Sequence, residues 1–150
     1  MPVGIMCFKG LHLHLQDIEK LVNYSPETIV ILDHLGFTKL GDEQGDKNFK
    51  DLLALNKYPN VFIKISALFR VASDTSSFPY EEVKKERFLP LLETFGADRM
   101  MFGTDFPFVL ETTNGYKGAV DVVGEWVDKD EDKAMLMGGT VERCFGKWGC

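Results

Sequence analysis

Residues 28–36 read TIVILDHLG. An apolar, β-branched run of this length predicts a strand buried on both faces, as in a parallel sheet. The run ends in Asp33 and His34. Charge at the end of a buried strand is either paired or functional, because burying it alone is costly. Gly36 follows at once, and residues 38–48 are polar enough to predict a long loop.

The same pattern recurs on either side. VGIMCF (3–8), NVFIKIS (60–66) and RMMFGTD (99–105) each predict a strand, and the last ends in Asp105. Helical stripes lie between and after them. Leu15, Ile18, Leu21 and Val22 mark a helix over 15–23, and FKDLLALN a short one over 49–56. Phe88, Leu91, Leu92 and Phe95 mark one over 81–96, with Gly96 as its C-cap. Pro90 predicts a kink there or the start of a second helix. Tyr116, Ala119, Val120, Val123 and Val127 mark a helix over 116–127. Asp130 predicts the cap of a further turn and Thr140 that of the terminal one. Residues 70–80 predict a second long loop.

Strand then helix, four times over, predicts an α/β fold with parallel strands joined by crossovers. Four βα units in 150 residues fit a small doubly wound sheet or half of an eight-stranded barrel. No glycine-rich fingerprint follows the first strand, so a dinucleotide site is unsupported. The long loops follow strands, as they do at the active face of a barrel.

The whole chain sets outer bounds. At 150 residues, 1–150 is one domain. A net charge of −6 without a basic cluster argues against a nucleic-acid surface. The longest apolar runs are too short to span a bilayer. No signal-peptide pattern opens the sequence. The three cysteines, Cys7, Cys144 and Cys150, match no zinc signature. Reduced thiols and a cytoplasmic location are the expectation, with Cys7 as a core residue and Cys150 exposed enough to crosslink.

Asp105, His34, Lys64, Ser66 and Arg70 are the candidates for chemistry. Asp105 sits in MFGTDFPF, where a carboxylate could bind a metal, act as a general base, or merely cap the next loop. His34 could ligate, shuttle a proton, or be a core histidine bonded to Asp33. Period two puts Phe62, Lys64 and Ser66 on one strand face, with Val61, Ile63 and Ile65 on the other, beneath helices. Lys64 then points into a barrel, where a structural ion pair competes with a substrate role. Arg70, just past its strand, suits capture of a substrate carboxylate, against the alternative of a surface arginine. His12 and His14 have the spacing of a metal pair. They directly precede the helical stripe at Leu15, which favours a solvent-side or capping role.

DHLGF (33–37), NVFIKIS (60–66) and FGADRMMFGTDFP (95–107) together resemble the amidohydrolase-related, metal-dependent-hydrolase type of TIM barrel. The likeness is to the branch of 2-pyrone-4,6-dicarboxylate lactonase and fuconolactonase-like enzymes. MGGTVERCFG (137–146) is similar to that family's terminal helix, where asparagine commonly stands at the place of Thr140. The resemblance implies that the four strands are barrel strands five to eight, the C-terminal half. It implies that Asp105 is the strand-eight acid and His34 the strand-six histidine, and that Arg70 grips substrate; Ser66 and Lys64, from their shared strand face, are further substrate-binding candidates. The family's own H-x-H closes strand one, so His12 and His14 are not that motif.

The lactonase branch works without bound metal, and the strand-five segment here offers Cys7, Phe8 and Lys9 in place of a histidine. The cofactor expectation is therefore none or a divalent metal such as zinc, with Asp105 as ligand if one is bound. A barrel of this class takes about 250 residues. The expectation is thus a fragment or truncated product, inactive alone, of a hydrolase for a lactone or similar cyclic ester of a carboxylated small molecule. Two alternatives stand beside it. One is a non-catalytic half-barrel that pairs as a homodimer or binds a partner through its open edges. The other is a metal-dependent decarboxylase of the same superfamily.

Overall fold

The structure, a computed structural model, describes residues 1–147. Cys150, expected to be exposed, lies outside the described residues. Four short strands, β1 (Val3–Ile5), β2 (Val30–Leu32), β3 (Val61–Ile65) and β4 (Met100–Phe102), form one sheet in the order β1-β2-β3-β4. Every neighbouring pair is parallel. The four strands expected from apolar patterning are all present, each shorter than its apolar run.

Helices fill the intervals. α1 (Leu15–Tyr24) joins β1 to β2, and α2 (Glu43–Ala54) joins β2 to β3. After β3 come the single turn α3 (Leu68–Val71) and then α4 (Glu81–Val83). A wide π turn, Lys84–Phe88, leads on into α5 (Leu89–Phe95). α6 (Gly115–Glu125), α7 (Asp130–Ala134) and α8 (Thr140–Phe145) close the chain, with a second π turn, Met135–Gly139, between the last two.

Several expectations need correction. The helix expected over 49–56 begins at Glu43, so the loop expected over 38–48 is half helix. The Asp42 side chain caps it, accepting from the Gln44 N–H at 3.2 Å. The loop expected over 70–80 starts inside α3. Pro90 stands at the start of a second helix, one of its two expected outcomes. It lies in the first turn of α5, directly after the π turn. A widened turn is where a helix can absorb the missing N–H and the ring clash of proline. Asp130 is inside the first turn of α7 and makes no capping bond. Thr140 does not cap either: its hydroxyl is fully buried and donates to the Ala97 carbonyl at 2.9 Å. Gly96 does end α5, with φ at 76° and its N–H on the Leu92 carbonyl.

The period-two reading of β3 holds. Val61, Ile63 and Ile65 join Val30, Leu32 and Met100 in the main core under the helices. Phe62 belongs to the opposite face, in a small cluster with Ile31 and Met101, closed by Val141 and Cys144 of α8. Burying such side chains is the dominant stabilising term, about 1.5–3 kcal/mol for each large one.

Candidate active site

Three strands end on one group of polar side chains. Asp33 and His34 leave β2, Ser66 leaves β3, and Asp105 follows β4. The exits turn sharply: φ is 54° at His34, 52° at Ala67 and 65° at Asp105. Left-handed backbone at non-glycine residues costs on the order of 1 kcal/mol or more each and clusters at functional sites.

His34 is held on three sides. Its side chain is 7% exposed. Its Nδ1 lies 2.8 Å from Ser66 Oγ, and Phe37 meets the ring edge-on at 5.1 Å. Its Nε2 stands 3.6 Å from Asp105 Oδ1. Burial lowers the His34 pKa below its ordinary 6.5, outweighing the opposite pull of Asp105 and Asp33, while Lys64 and Arg70 push it further down. The ring is therefore neutral near pH 7 and has one N–H. A carboxylate can only accept, so facing Asp105 favours the tautomer with the proton on Nε2, in which the Ser66 hydroxyl donates to Nδ1.

Asp105 is shared. Its Oδ2 accepts from Arg70 Nε at 3.3 Å. The guanidinium lies 5.1 Å over the ring of Phe69 and 4.9 Å over that of Phe108. Beside this group Lys64 Nζ pairs with Asp33 Oδ1 at 3.0 Å. Gly103 makes room for it, since a Cβ there would stand 2.9 Å from Lys64 Cε. Cys7 is fully buried at the end of β1, and burial, helped by Asp33, pushes its thiol up to about 11. It is a protonated core residue.

An open groove of about 730 Å³ adjoins the cluster, within the size range of small-ligand sites. Phe8, Phe37 and Phe69 form apolar wall, and Lys39, Arg70 and Glu111 add charge. Arg70 and Phe37 belong to both places: each touches the Asp105–His34 pair and lines the groove.

The structure thus brings Asp105, His34, Ser66 and Arg70 together, with Lys64 beside them in an ion pair. His12 and His14 lie elsewhere and exposed, and His12 Nδ1 bonds Asn48 Oδ1 at 3.0 Å. Lys39 and the aromatic walls were not among the expected residues. A signal existed for the walls: each strand is followed within a few residues by a phenylalanine, Phe8, Phe37, Phe69 and Phe106.

A catalytic zinc takes three protein donors. The described residues contain no group of three His, Cys, Asp or Glu placed to hold a metal. His34 and Asp105 are two such donors, but Asp105 already faces the Arg70 cation and Asp33 is tied to Lys64. These residues do not by themselves fit a zinc site.

Comparison with known proteins agrees with this architecture. The amidohydrolase family model matches residues 2–147. Over 129 residues the chain is 28% identical to the L-fucono-1,5-lactonase of Burkholderia multivorans, covering 77% of this chain and 42% of the lactonase. It superposes on an amidohydrolase of Burkholderia multivorans with bound HEPES at a TM-score of 0.76 and 24% identity, covering 95% of this chain and 51% of that one. A zinc-bound crystal form gives 0.75 and 23%, with the same coverage. A probable 2-pyrone-4,6-dicarboxylic acid hydrolase of Acinetobacter baumannii, with citric acid bound, gives 0.75 and 17%, covering 97% and 52%. The chain spans about half the length of the relatives it matches, and its four-stranded sheet matches half of an amidohydrolase TIM barrel. No helix among the described residues is long and apolar enough to cross a membrane.

Proposed function

Because this chain belongs to the amidohydrolase family, we propose that its strand-end cluster is the acid–base part of a hydrolytic site that opens a lactone or similar cyclic ester of a carboxylated small molecule. In this reading the chain supplies barrel strands five to eight. The carrying observation is Asp105, with one oxygen toward neutral His34 and the other on Arg70.

Asp105 takes a proton from water as the water oxygen bonds to the ring carbonyl carbon. The Nε2–H of His34 stabilises the oxyanion, and the proton that Asp105 took from water passes to the leaving alkoxide as the ring C–O bond breaks, which returns Asp105 and His34 to their starting states. Arg70 spends only Nε on Asp105, which leaves the fork of its guanidinium for a substrate carboxylate in the groove. Ser66 fixes the tautomer that makes His34 a donor. Lys64 neutralises Asp33, so its service to substrate is electrostatic.

The test is Asp105→Asn in the whole protein, assayed on carboxylated lactones. The expected loss in kcat is about 10²–10⁴-fold. An unchanged rate would refute the role of Asp105. Zinc-dependent release of carbon dioxide, with no lactone opened, would move the assignment to the decarboxylase alternative.

A second reading has its own support. Among the described residues β1 and β4 each pair on one side only. Exposed apolar residues lie near both edges, Met6, Phe8 and Leu13 at one and Phe106 and Leu110 at the other. Two copies would supply eight strands and cover these edges. Light scattering should then give a dimer mass at micromolar concentration; a strict monomer removes this reading.

A further inference from the structure

We propose that Lys39 is a specificity-determining residue that recognises a second anionic group on the substrate, apart from the one held by Arg70. The inference rests on the reading of the groove as the substrate site.

Lys39 is an exposed lysine on an unusually well-braced backbone. Its neighbours Thr38 and Leu40 are buried. The Thr38 hydroxyl donates to the Leu35 carbonyl at 2.9 Å, and the Leu40 N–H to the Val71 carbonyl at 2.8 Å. Arg87, 3% exposed, reaches across from the π turn after α4. Its Nε donates to the Thr38 carbonyl at 2.8 Å and its Nη2 to the Lys39 carbonyl at 3.3 Å. α2 presses on the same peptide: a Cβ on Gly45 would lie 2.0 Å from the Lys39 carbonyl oxygen.

This bracing fixes the root of the side chain, and the side chain lines the groove with Arg70. Among the described residues Lys39 forms no ion pair, although Glu111 lines the same groove. The groove therefore offers two cations against one acid. One cation is engaged beside the reacting pair. The other makes no ion pair among the described residues and has a held backbone beneath it. Such a pre-positioned charge contributes to the choice among ligands, since a held group loses less entropy on binding. Arg87 is the positioning residue behind it.

The test uses calorimetric titration of the chain with benzoate, a flat monoanion, and isophthalate, a flat dianion. The expected result is about tenfold tighter binding of isophthalate, reduced to parity by Lys39→Gln and kept by Lys39→Arg. Arg70→Gln weakens both ligands. A dianion preference that survives Lys39→Gln overturns the inference and leaves the groove as substrate site intact. Benzoate binding with no dianion preference in the unaltered chain does the same. Failure of both ligands to bind overturns the inference together with the reading on which it rests.

Discussion

Replacing Arg87 with methionine removes the donors that hold the Lys39 turn, and the structure sets the size of the effect. The guanidinium serves the Thr38 and Lys39 carbonyls, the carbonyl of its exposed neighbour Glu86 at 3.1 Å, Asp46 Oδ1 at 2.6 Å, and the ring of Phe49 at 4.6 Å. Methionine keeps much of the contact with Phe49 and spares the cost of burying a charge. Asp46 is 60% exposed and simply returns to water. The Thr38 and Lys39 carbonyls are the main loss, because Thr38 is buried whereas Glu86 is exposed, and each stripped acceptor costs about 1–3 kcal/mol.

With relief of the buried charge set against that, the net loss is about 2 kcal/mol. For a chain of this size it lowers Tm by about 4–8 °C. Asp46→Asn keeps an acceptor for Arg87 Nη2 and should cost less than Arg87→Met, although the buried guanidinium then loses its counter-charge. Thermal melts by circular dichroism measure both. An Arg87→Met protein as stable as the parent, or an equal fall for Asp46→Asn, would refute the argument that the carbonyls are what Arg87 holds.

Titration of the histidines by NMR should show the His34 pKa fall further in Asp105→Asn and rise in Arg70→Gln, since these remove a raising and a lowering cause respectively. Its folded pKa lies below the ordinary 6.5, so the unfolded chain takes up the proton first. The stability contributed by a neutral His34 is full above 6.5 and is lost as pH falls through the folded value. Melts should show the parent losing more between pH 7 and pH 5 than His34→Gln does; equal losses contradict the assignment. Ser66→Ala strips the donor from Nδ1 and should cost about 1–3 kcal/mol in denaturant unfolding. It should also slow lactone opening without changing carboxylate binding. Lys64→Met leaves the Asp33 carboxylate without its cation and should raise the His34 pKa; an unmoved or lowered value argues against the proposed service of Lys64 to the site.

Much of the fold could be read from local pattern, and the exceptions have physical causes. β1 to β4 were legible because buried parallel strands are apolar runs. The start of α2 was not, because its buried face opens with Gly45 and Asn48 instead of large apolar residues. No stripe marks a helix whose first turns lie against a backbone. Thr140 looks like a cap in sequence, but its hydroxyl serves a carbonyl 43 residues earlier. The site divides the same way. Asp105, His34, Ser66 and Arg70 follow from their places at strand exits. Lys39 does not, because its setting depends on Arg87, 48 residues further along the chain.

The period of two along a strand orders the chemistry in depth. On the face turned from the helices, Ile31, Phe62 and Met101 make an apolar layer closed by α8. Two residues on come Asp33, Lys64 and Gly103, a charge pair with space cleared beside it. Beyond them Ser66 and Asp105 meet His34. The middle layer matters to the outer one. An unpaired Asp33 would raise the His34 pKa, and a protonated ring in an ion pair with Asp105 would have its Nε2–H committed to the carboxylate. By pairing with Asp33, Lys64 adds to the effect of burial in favouring the neutral ring, which in the proposed mechanism leaves Asp105 to accept a proton from water. The arginine does the matching work from the other side, adding positive charge that disfavours a second proton on the ring while binding the acid through a single nitrogen. Burial first, and two cations after it, thus hold one histidine neutral between two carboxylates, which is the protonation state that the proposed hydrolysis needs at its start.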